Sequence, residues 1–289
     1  MTAITFGDAR LNWIEEVRIP NRITYFTQDE ALIAANRHWL EPHFLDANGM
    51  FDLVFQSWIV EVGGRIVLID PCTGNGRPHV VPFFNLLDTP YIEAMGSLGY
   101  RPQDIDFVVC THLHHDHCGW NTHLRDGRWV PTFPKARYIV QRMEYERFRS
   151  GKTGLEVPEY NTGVFEHSVA PVMRAGLMDL AEGNHGVCPQ VTVKPAPGHT
   201  LGHQMVHLDS GGRHLFFTGD CFHHPIQLAE PHVHFAGGED IDQLVATRRM
   251  LVDLAVDLGA SLVAAHTPAP YAVRVTRTNG RLAFTAGFS

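Results

Sequence analysis

The chain has 289 residues, 44% of them hydrophobic and 19% charged, which is the balance of a globular protein with a large apolar core. Its formal net charge of −8 argues against a nucleic-acid partner, because affinity for nucleic acid comes from clustered Lys and Arg side chains that meet phosphates. No apolar stretch approaches the roughly 20 residues needed to cross a bilayer, so we expect no membrane association.

Neither the N-terminus nor the cysteines suggest export. Residues 1–10 lack a basic patch followed by an apolar run, so we expect a cytoplasmic protein. We interpret Cys118 and Cys221 as small packing residues. The cysteines are scattered and form no Cys-x-x-Cys pair, which argues against a disulfide framework: Cys72, Cys110, Cys118, Cys188 and Cys221.

The first half of the chain predicts a β-hairpin, a helix and a buried strand. Two β-rich runs, residues 53–62 and 65–69, are separated by Gly63-Gly64, which predicts a hairpin. Helical patterning follows over residues 80–98. Residues 107–110 are apolar and predict a strand that ends where a cluster of histidines begins.

That cluster reads Thr-His-Leu-His-His-Asp-His from Thr111 to His117. Imidazole nitrogens and carboxylate oxygens are the donors that zinc, manganese, cobalt and iron accept. His112 and His114 can project from one side of an extended turn while Asp116 and His117 point to a neighbouring position, which suggests two adjacent metal ions. The alternative is a solvated His-rich loop that binds metal adventitiously.

The second half predicts strands near Val191, Met205 and Leu215 and supplies three more candidate ligands at strand ends. Because strand ends can share one edge of a sheet, all of these side chains could reach the same site. The three ligands and the runs before them are His199 after residues 191–194, Asp220 after residues 214–217, and His266 after residues 261–265.

The strongest helix prediction covers residues 241–258, where apolar side chains recur at helical spacing. Asp240 with Gln243 resembles a capping box, and Gly259 is a plausible stop. Two residues of this helix are assigned to the core: Met250 and Leu251.

This pattern resembles the metallo-β-lactamase-fold hydrolase superfamily, from about Val54 to His266. The resemblance implies an αββα sandwich, with two mixed β-sheets between outer helix layers, as a single domain over residues 1–289. Its His-x-His-x-Asp-His signature and later ligand positions are matched by His112, His114, Asp116, His117, His199, Asp220 and His266.

The resemblance also implies two divalent metal ions, with Zn²⁺ favoured over Mn, Fe or Co. One ion takes His112, His114 and His199, the other takes Asp116, His117 and His266, and Asp220 bridges them. Such a pair shares a water and lowers its pKa towards about 7, so a bridging hydroxide and hydrolysis are expected. A structural zinc site would instead close with four ligands, commonly cysteines.

Catalytic roles are assigned to Asp116, which could relay a proton to the leaving group, and to His223. Quorum-quenching lactonases of the superfamily have a tyrosine three residues beyond the bridging aspartate, whereas a histidine resembles the methyl-parathion-hydrolase-like group. His223 either donates a hydrogen bond near the leaving group or supports the loop. We therefore expect cleavage of a lactone or ester of a small molecule.

Alternative functions are a phosphotriester or thioester hydrolase and, from another class, a diiron-type oxidoreductase, although those typically place a glutamate where this chain has His114. Asp70 either orients a ligand or is a turn aspartate before Pro71. Residues 25–50 and 142–186 look like substrate cover, unless their aromatic side chains only anchor them to the scaffold. The candidate assembly is a homodimer.

Overall fold

The structure is a computed structural model that describes residues 3–153, 158–234 and 238–288. In these ranges the strands are β1 (Ile4–Phe6), β2 (Ala9–Arg22), β3 (Met50–Val62), β4 (Arg65–Ile69), β5 (Phe107–Val109), β6 (Thr122–Arg125), β7 (Arg128–Pro131), β8 (Arg137–Gln141), β9 (Met178–Ala181), β10 (His185–Cys188), β11 (Val191–Pro195), β12 (Gln204–Ser210), β13 (Arg213–Phe217), β14 (Ser261–Val263), β15 (Ala272–Thr278) and β16 (Arg281–Ala286). The α-helices are α1 (Glu30–Leu40), α2 (Tyr91–Ser97), α3 (His115–Cys118), α4 (Arg142–Arg149), α5 (Ala170–Arg174), α6 (Ile226–Ala229) and α7 (Ile241–Leu258).

The first sheet has the strand order β1-β2-β3-β4-β5-β8-β9. Strands β1 to β4 pair antiparallel, and the long β2–β3 ladder runs from Arg10 opposite Glu61 to Arg22 opposite Met50. Strands β4, β5, β8 and β9 of this sheet pair parallel, so their carboxyl ends meet at one edge. The loop after β5 leaves from that edge and carries the histidine cluster.

The second sheet has the strand order β10-β11-β12-β13-β14-β15-β16. Its pairs are antiparallel except β13 with β14, which is parallel. The carboxyl ends of β13 and β14 therefore lie side by side, and both strands are followed by a predicted ligand. The two sheets are thus mixed, as predicted.

Three apolar clusters show how the layers stack. Trp58, Val60 and Val67 of the first sheet pack against Val193 and Phe217 of the second, which fills the space between the sheets. Strand side chains alternate in direction, so the neighbours of these residues face outward. On the outer face of the first sheet they meet α2, α4 and α5, and on the outer face of the second sheet they meet α1, α6 and α7. The predicted αββα arrangement is confirmed.

The predicted hairpin is confirmed as β3 and β4, but the predicted helix over residues 80–98 is wrong in its first half. Residues 82–86 form turns, residues 87–90 are irregular, and helix α2 covers only Tyr91–Ser97. Pro82 and Pro90 explain the difference, because proline has no backbone N–H and disfavours a helical conformation in the residue before it.

Helix α7 is confirmed at the predicted bounds, with two corrections. Asp240 accepts from the Gln243 backbone N–H, and Gly259 ends the helix with φ 62°. The Gln243 side chain donates to Thr247 instead of returning to Asp240, so the capping box is only half formed. The assignment of Met250 to the core is wrong, because Met250 is 43% exposed. Leu251, one position further round the helix, is completely buried.

All five cysteines are free, in agreement with the prediction of no disulfide framework, and both Cys118 and Cys221 are completely buried. Within residues 3–153, 158–234 and 238–288, none of the helices combines the length and apolar character that a membrane crossing requires.

Candidate metal centre

The predicted ligands lie on loops that leave one edge of the two sheets. Strand β5 ends at Val109, and the loop after it carries His112 and His114, followed by Asp116 and His117 in the short helix α3. These side chains gather into neighbouring groups of metal-binding atoms with three others that are distant in sequence. The loops after β11, β13 and β14 carry the other three: His199, Asp220 and His266.

The first group consists of three imidazoles that point their nitrogens at one another. His114 Nδ1 lies 2.9 Å from His112 Nε2 and 3.0 Å from His199 Nε2. All three side chains are almost completely buried. Three nitrogens converging in this way leave a shared position that a metal ion can occupy.

The second group combines a carboxylate with two imidazoles. Asp116 Oδ2 lies 3.4 Å from His117 Nε2 and 3.6 Å from His266 Nε2. His266 is oriented from behind by a 3.0 Å contact of its Nδ1 with the Val54 carbonyl oxygen, which is an acceptor and therefore places the proton on Nδ1. The Nε2 lone pair of His266 is left to face the group.

Asp220 lies between the two groups and presents one oxygen to each. Its Oδ2 is 3.3 Å from His199 Nε2 and 3.9 Å from His112 Nε2. Its Oδ1 is 3.4 Å from His117 Nε2 and 3.1 Å from His266 Nε2. Asp220 therefore faces both groups at once.

The side chains of the cluster shift one another's pKa values. Burial opposes ionisation of Asp220, but the surrounding imidazoles, His266 first among them, hold its pKa well below the usual range. Burial likewise opposes the charge on His117, yet the carboxylates of Asp220 and Asp116 raise the pKa of His117 well above its usual value. The carboxylate of Asp220 is thus held in the ionised form, which is the form that binds a metal cation.

Buried atoms without hydrogen-bond partners also indicate a metal position. Among the described residues, His117 Nε2 and Asp220 Oδ1 are buried and lack hydrogen-bond partners. Buried polar atoms in folded proteins are nearly always paired, so such atoms mark a position for an ion or water. Nitrogen and oxygen donors in two groups that share a carboxylate fit two divalent ions.

Asp70 contacts both Thr111 and the second group. Its carboxylate accepts from the Thr111 backbone N–H at 2.7 Å and from the Thr111 hydroxyl at 2.8 Å. Its Oδ2 also lies 3.1 Å from His117 Nδ1. A carboxylate on Nδ1 fixes the ring so that Nε2 faces the metal position, which is the orienting role.

His203 and Gly219 also shape the centre, and the sequence analysis gave neither a role there. His203 Nε2 accepts from the Asp220 backbone N–H at 3.1 Å. Gly219 has φ 52°, and a Cβ at this position would lie 2.6 Å from both His203 Nε2 and Thr111 Oγ1. A glycine directly before a candidate ligand was the one sequence signal for this close approach.

His223 lies inside the donor cluster. Its Nε2 is 3.0 Å from Asp220 Oδ2, and its ring stacks on that of His266 at 5.7 Å. Together with Asp220 and His266 it forms a third set of atoms close enough to hold an ion. The Gln227 side chain accepts from the His223 backbone N–H at 2.7 Å and fixes this loop.

The donor cluster opens on a cavity of about 340 Å³. Besides the donors, the lining includes Phe55 and Phe84, whose rings are 4.9 Å apart, and His115, whose ring is 4.8 Å from that of Phe84. None of the described lining residues is Lys or Arg. The remaining lining is mainly apolar: Ile19, Asn21, Tyr25, Leu53, Val81 and Tyr160.

Of the described residues in 25–50 and 142–186, the segments expected to cover the substrate, Tyr25 and Tyr160 line this cavity. Other parts of both segments belong to the scaffold. Trp39 of α1 stacks on Phe284 of the second sheet, with ring centroids 4.5 Å apart. The second segment contains α4, α5 and β9. For Trp39, anchoring to the scaffold is therefore the better interpretation.

Comparison with protein families gives one match that covers most of the chain. The model of the metallo-beta-lactamase superfamily matches residues 55–266. A probable metallo-hydrolase of Mycobacterium tuberculosis is 28% identical over 202 residues, which are 65% of this chain and 62% of the relative. An N-acyl homoserine lactonase of Bacillus cereus is 26% identical over 159 residues, 55% of each chain. The chain thus spans less than two thirds of the length of these curated relatives.

Solved structures extend the likeness to nearly the whole chain. A probable metal-dependent hydrolase from Staphylococcus aureus superposes with a TM-score of 0.77 at 17% identity, covering 98% of both chains. The dizinc quorum-quenching lactonase AidC, in complex with a product, superposes with a TM-score of 0.72 at 18% identity, covering 100% of this chain and 98% of AidC. At such identities the likeness concerns the fold alone.

Proposed function

The chain belongs to the metallo-beta-lactamase superfamily and has its fold, and we propose that it is a dinuclear metal-dependent hydrolase of uncharged lactones or esters. One observation carries the proposal. Two groups of nitrogen and oxygen donors share Asp220 and open on a cavity whose other walls are mainly apolar. A structural metal site would instead be closed and would need no cavity.

The residues assigned to the metals are those of the two groups. His112, His114 and His199 would hold one divalent ion, and Asp116, His117 and His266 the other, with Asp220 shared. When bound, such a pair supplies an activated water at neutral pH and polarises the bond that is cleaved. Nitrogen-rich coordination favours Zn²⁺, with Mn, Fe and Co as alternatives.

The cavity supports a neutral substrate with an apolar part. Without Lys or Arg among its described lining residues, the cavity offers an anionic substrate no fixed positive charge other than that of the centre itself. Phe55, Phe84 and Leu53 would lie against an acyl chain or an aromatic ring. This favours lactones and esters, including the N-acyl homoserine lactones that the relatives' names suggest, over glutathione-type thioesters.

Two side chains are proposed to serve the substrate. Asp116 is partly accessible from the cavity, and its carboxylate can take a proton from the attacking water and pass it to the leaving group. His223 also lines the cavity, and its imidazole can donate a hydrogen bond to a substrate oxygen. His223 thus adds specificity and orientation, whereas the metal ligands are needed for any turnover.

The test combines metal analysis with a substrate panel. We expect purified protein to bind two divalent ions and to hydrolyse γ-lactones or aryl esters faster than thioesters and β-lactams. His112→Ala should abolish turnover, whereas the matched variant His214→Ala, in β13 and away from the centre, should retain it. Two bound ions with no turnover of any substrate would refute the hydrolase. Activity that survives complete metal removal would refute the mechanism.

A second candidate is phosphotriester hydrolysis. A phosphotriester is uncharged, so the lack of Lys and Arg among the described lining residues favours it as much as it favours a lactone or ester. The panel separates the two by their kcat/KM values. His223→Phe should change the ranking of esters against phosphotriesters while leaving two ions bound. An unchanged ranking would reduce His223 to a residue that supports the loop.

A further inference from the structure

A carboxylate outside both metal groups is buried beside them. Glu144 lies in the first turn of helix α4 and is completely buried. Carboxylates are almost never fully buried unless they are paired or hydrogen-bonded, because burial removes their hydration. The partners of Glu144 therefore explain why it is there.

Each oxygen of Glu144 binds a different ligand-bearing loop. Oε1 accepts from the Leu113 backbone N–H at 3.0 Å, and Leu113 lies between His112 and His114 in the chain. Oε2 accepts from the Thr200 hydroxyl at 2.8 Å, and Thr200 directly follows His199. One carboxylate thus connects the loops that carry all three imidazoles of the first metal group.

Close packing holds helix α4 against the same loops. A Cβ at Gly202 would lie only 2.3 Å from the Glu144 backbone nitrogen, so the loop after His199 lies directly on the first turn of α4. One turn further along the helix, the ring of Phe148 lies 6.1 Å from that of His114. Helix α4 therefore contacts the metal loops from behind, on the side away from the cavity.

We propose that Glu144 is a positioning residue that ties the His112–His114 loop to the His199 loop and thereby sets the metal affinity of the first group. The two loops follow strands of different sheets, β5 and β11, so pairing within one sheet does not fix their relative position. Ligand nitrogens must be held to within about 0.5 Å for productive geometry. The inference rests on the proposed dinuclear centre and adds a residue to it.

The test compares two nearly isosteric substitutions. Glu144→Leu keeps the volume and removes both contacts. Glu144→Gln keeps both, because its amide oxygen accepts from Leu113 and its NH₂ donates to the Thr200 hydroxyl oxygen. The matched control is Glu146→Leu, on the same helix, where Glu146 pairs with Arg149 instead of the metal loops. Zn²⁺ affinity is measured for each ion by competition with a chelating dye on the full-length chain.

Reference variants assign the two ions. His112→Ala weakens the first group and His266→Ala the second, so Co²⁺ spectra of these variants identify the signal of each position. We expect Glu144→Leu to weaken the first position about 10- to 100-fold and to leave the second unchanged. Glu144→Gln should lie within about threefold of wild type, which a residue that only fills space would not produce, and Glu146→Leu should match wild type.

Equal first-position affinities for Glu144→Leu and Glu144→Gln would overturn the inference. If Glu144→Leu does not fold, Thr200→Val tests the same tie by removing only the hydroxyl, and an unchanged first-position affinity in that variant overturns it as well. Wild-type protein that fails to bind two ions refutes the proposed function, and the tie with it. Wild-type protein with two ions and an unaffected Glu144→Leu refutes the tie alone.

Discussion

Substituting Asp70 by Asn tests the orienting contact behind the second metal group. The Asp70 carboxylate accepts hydrogen bonds from two directions: Oδ1 accepts from the Thr111 backbone N–H, and Oδ2 accepts from the Thr111 hydroxyl and faces His117 Nδ1. An Asn side chain has one acceptor only, so either Thr111 or His117 meets an NH₂ group. Asp70 has φ 49°, a conformation that Asn adopts readily, so the backbone should not move.

The expected magnitude follows from the role of this contact. An NH₂ group opposite Nδ1 favours the His117 tautomer that carries its proton on Nε2, the atom that faces the metal position. Loss of such a supporting contact typically lowers metal affinity about 10- to 100-fold, which is about 1.4–2.7 kcal/mol. We expect Asp70→Asn to weaken the second ion by this factor and to lower kcat, with the first ion unaffected.

The assay is a Zn²⁺ titration against a chelating dye, with His266→Ala as the reference for a damaged second position. Asp46→Asn is the matched control, because Asp46 is an exposed turn aspartate that accepts from the backbone N–H groups of Asn48 and Met50 and belongs to neither metal group. The Zn²⁺ affinity of the Asp46→Asn variant should equal that of wild type. If Asp70→Asn also binds the second ion within about twofold of wild type, Asp70 is a turn residue and our reasoning fails.

Three further outcomes can be measured by urea unfolding of the metal-free protein. Gly219→Ala should lower the free energy of unfolding by about 1–3 kcal/mol, because its Cβ would collide with buried side chains at a left-handed φ; an unchanged value would contradict the geometry. Leu251→Ala should cost about 2–5 kcal/mol and Met250→Gln less than about 0.5 kcal/mol, and equal costs would place both residues on one face. Burial raises the pKa of Glu144 from 4.5 to about 7, so the folded chain binds this proton more tightly than the unfolded chain does. The contribution of Glu144 to the free energy of unfolding therefore falls progressively as the pH rises through that interval. The stability of Glu144→Gln relative to wild type should therefore increase by about 3 kcal/mol between pH 4.5 and pH 8, and a difference independent of pH would contradict it.

Local patterns predicted much of the scaffold. The hairpin at Gly63-Gly64 and the bounds of helix α7 follow from turn chemistry, capping and periodicity, which act between residues close in the chain. The errors arose where local signals conflict or lack resolution. Pro82 and Pro90 outweighed the apolar spacing of residues 80–98. The helical period of apolar residues defines the faces of a helix only approximately, so it did not show that Met250 faces solvent.

The order and spacing of metal-binding residue types, from His112 to His266, carried the resemblance to the superfamily, because donor chemistry is readable from residue identity. That resemblance implied the fold class, which the structure confirms, and an assignment of the ligands to two metal groups, which stays a prediction. Only the tertiary structure decided which other side chains support those groups. Asp70 contacts a residue 41 positions away in the chain, and Glu144 contacts residues 31 and 56 positions away. His203 contacts a residue 17 positions away. Such contacts depend on how two sheets and a helix pack together, and packing of this kind leaves no periodic trace in the sequence.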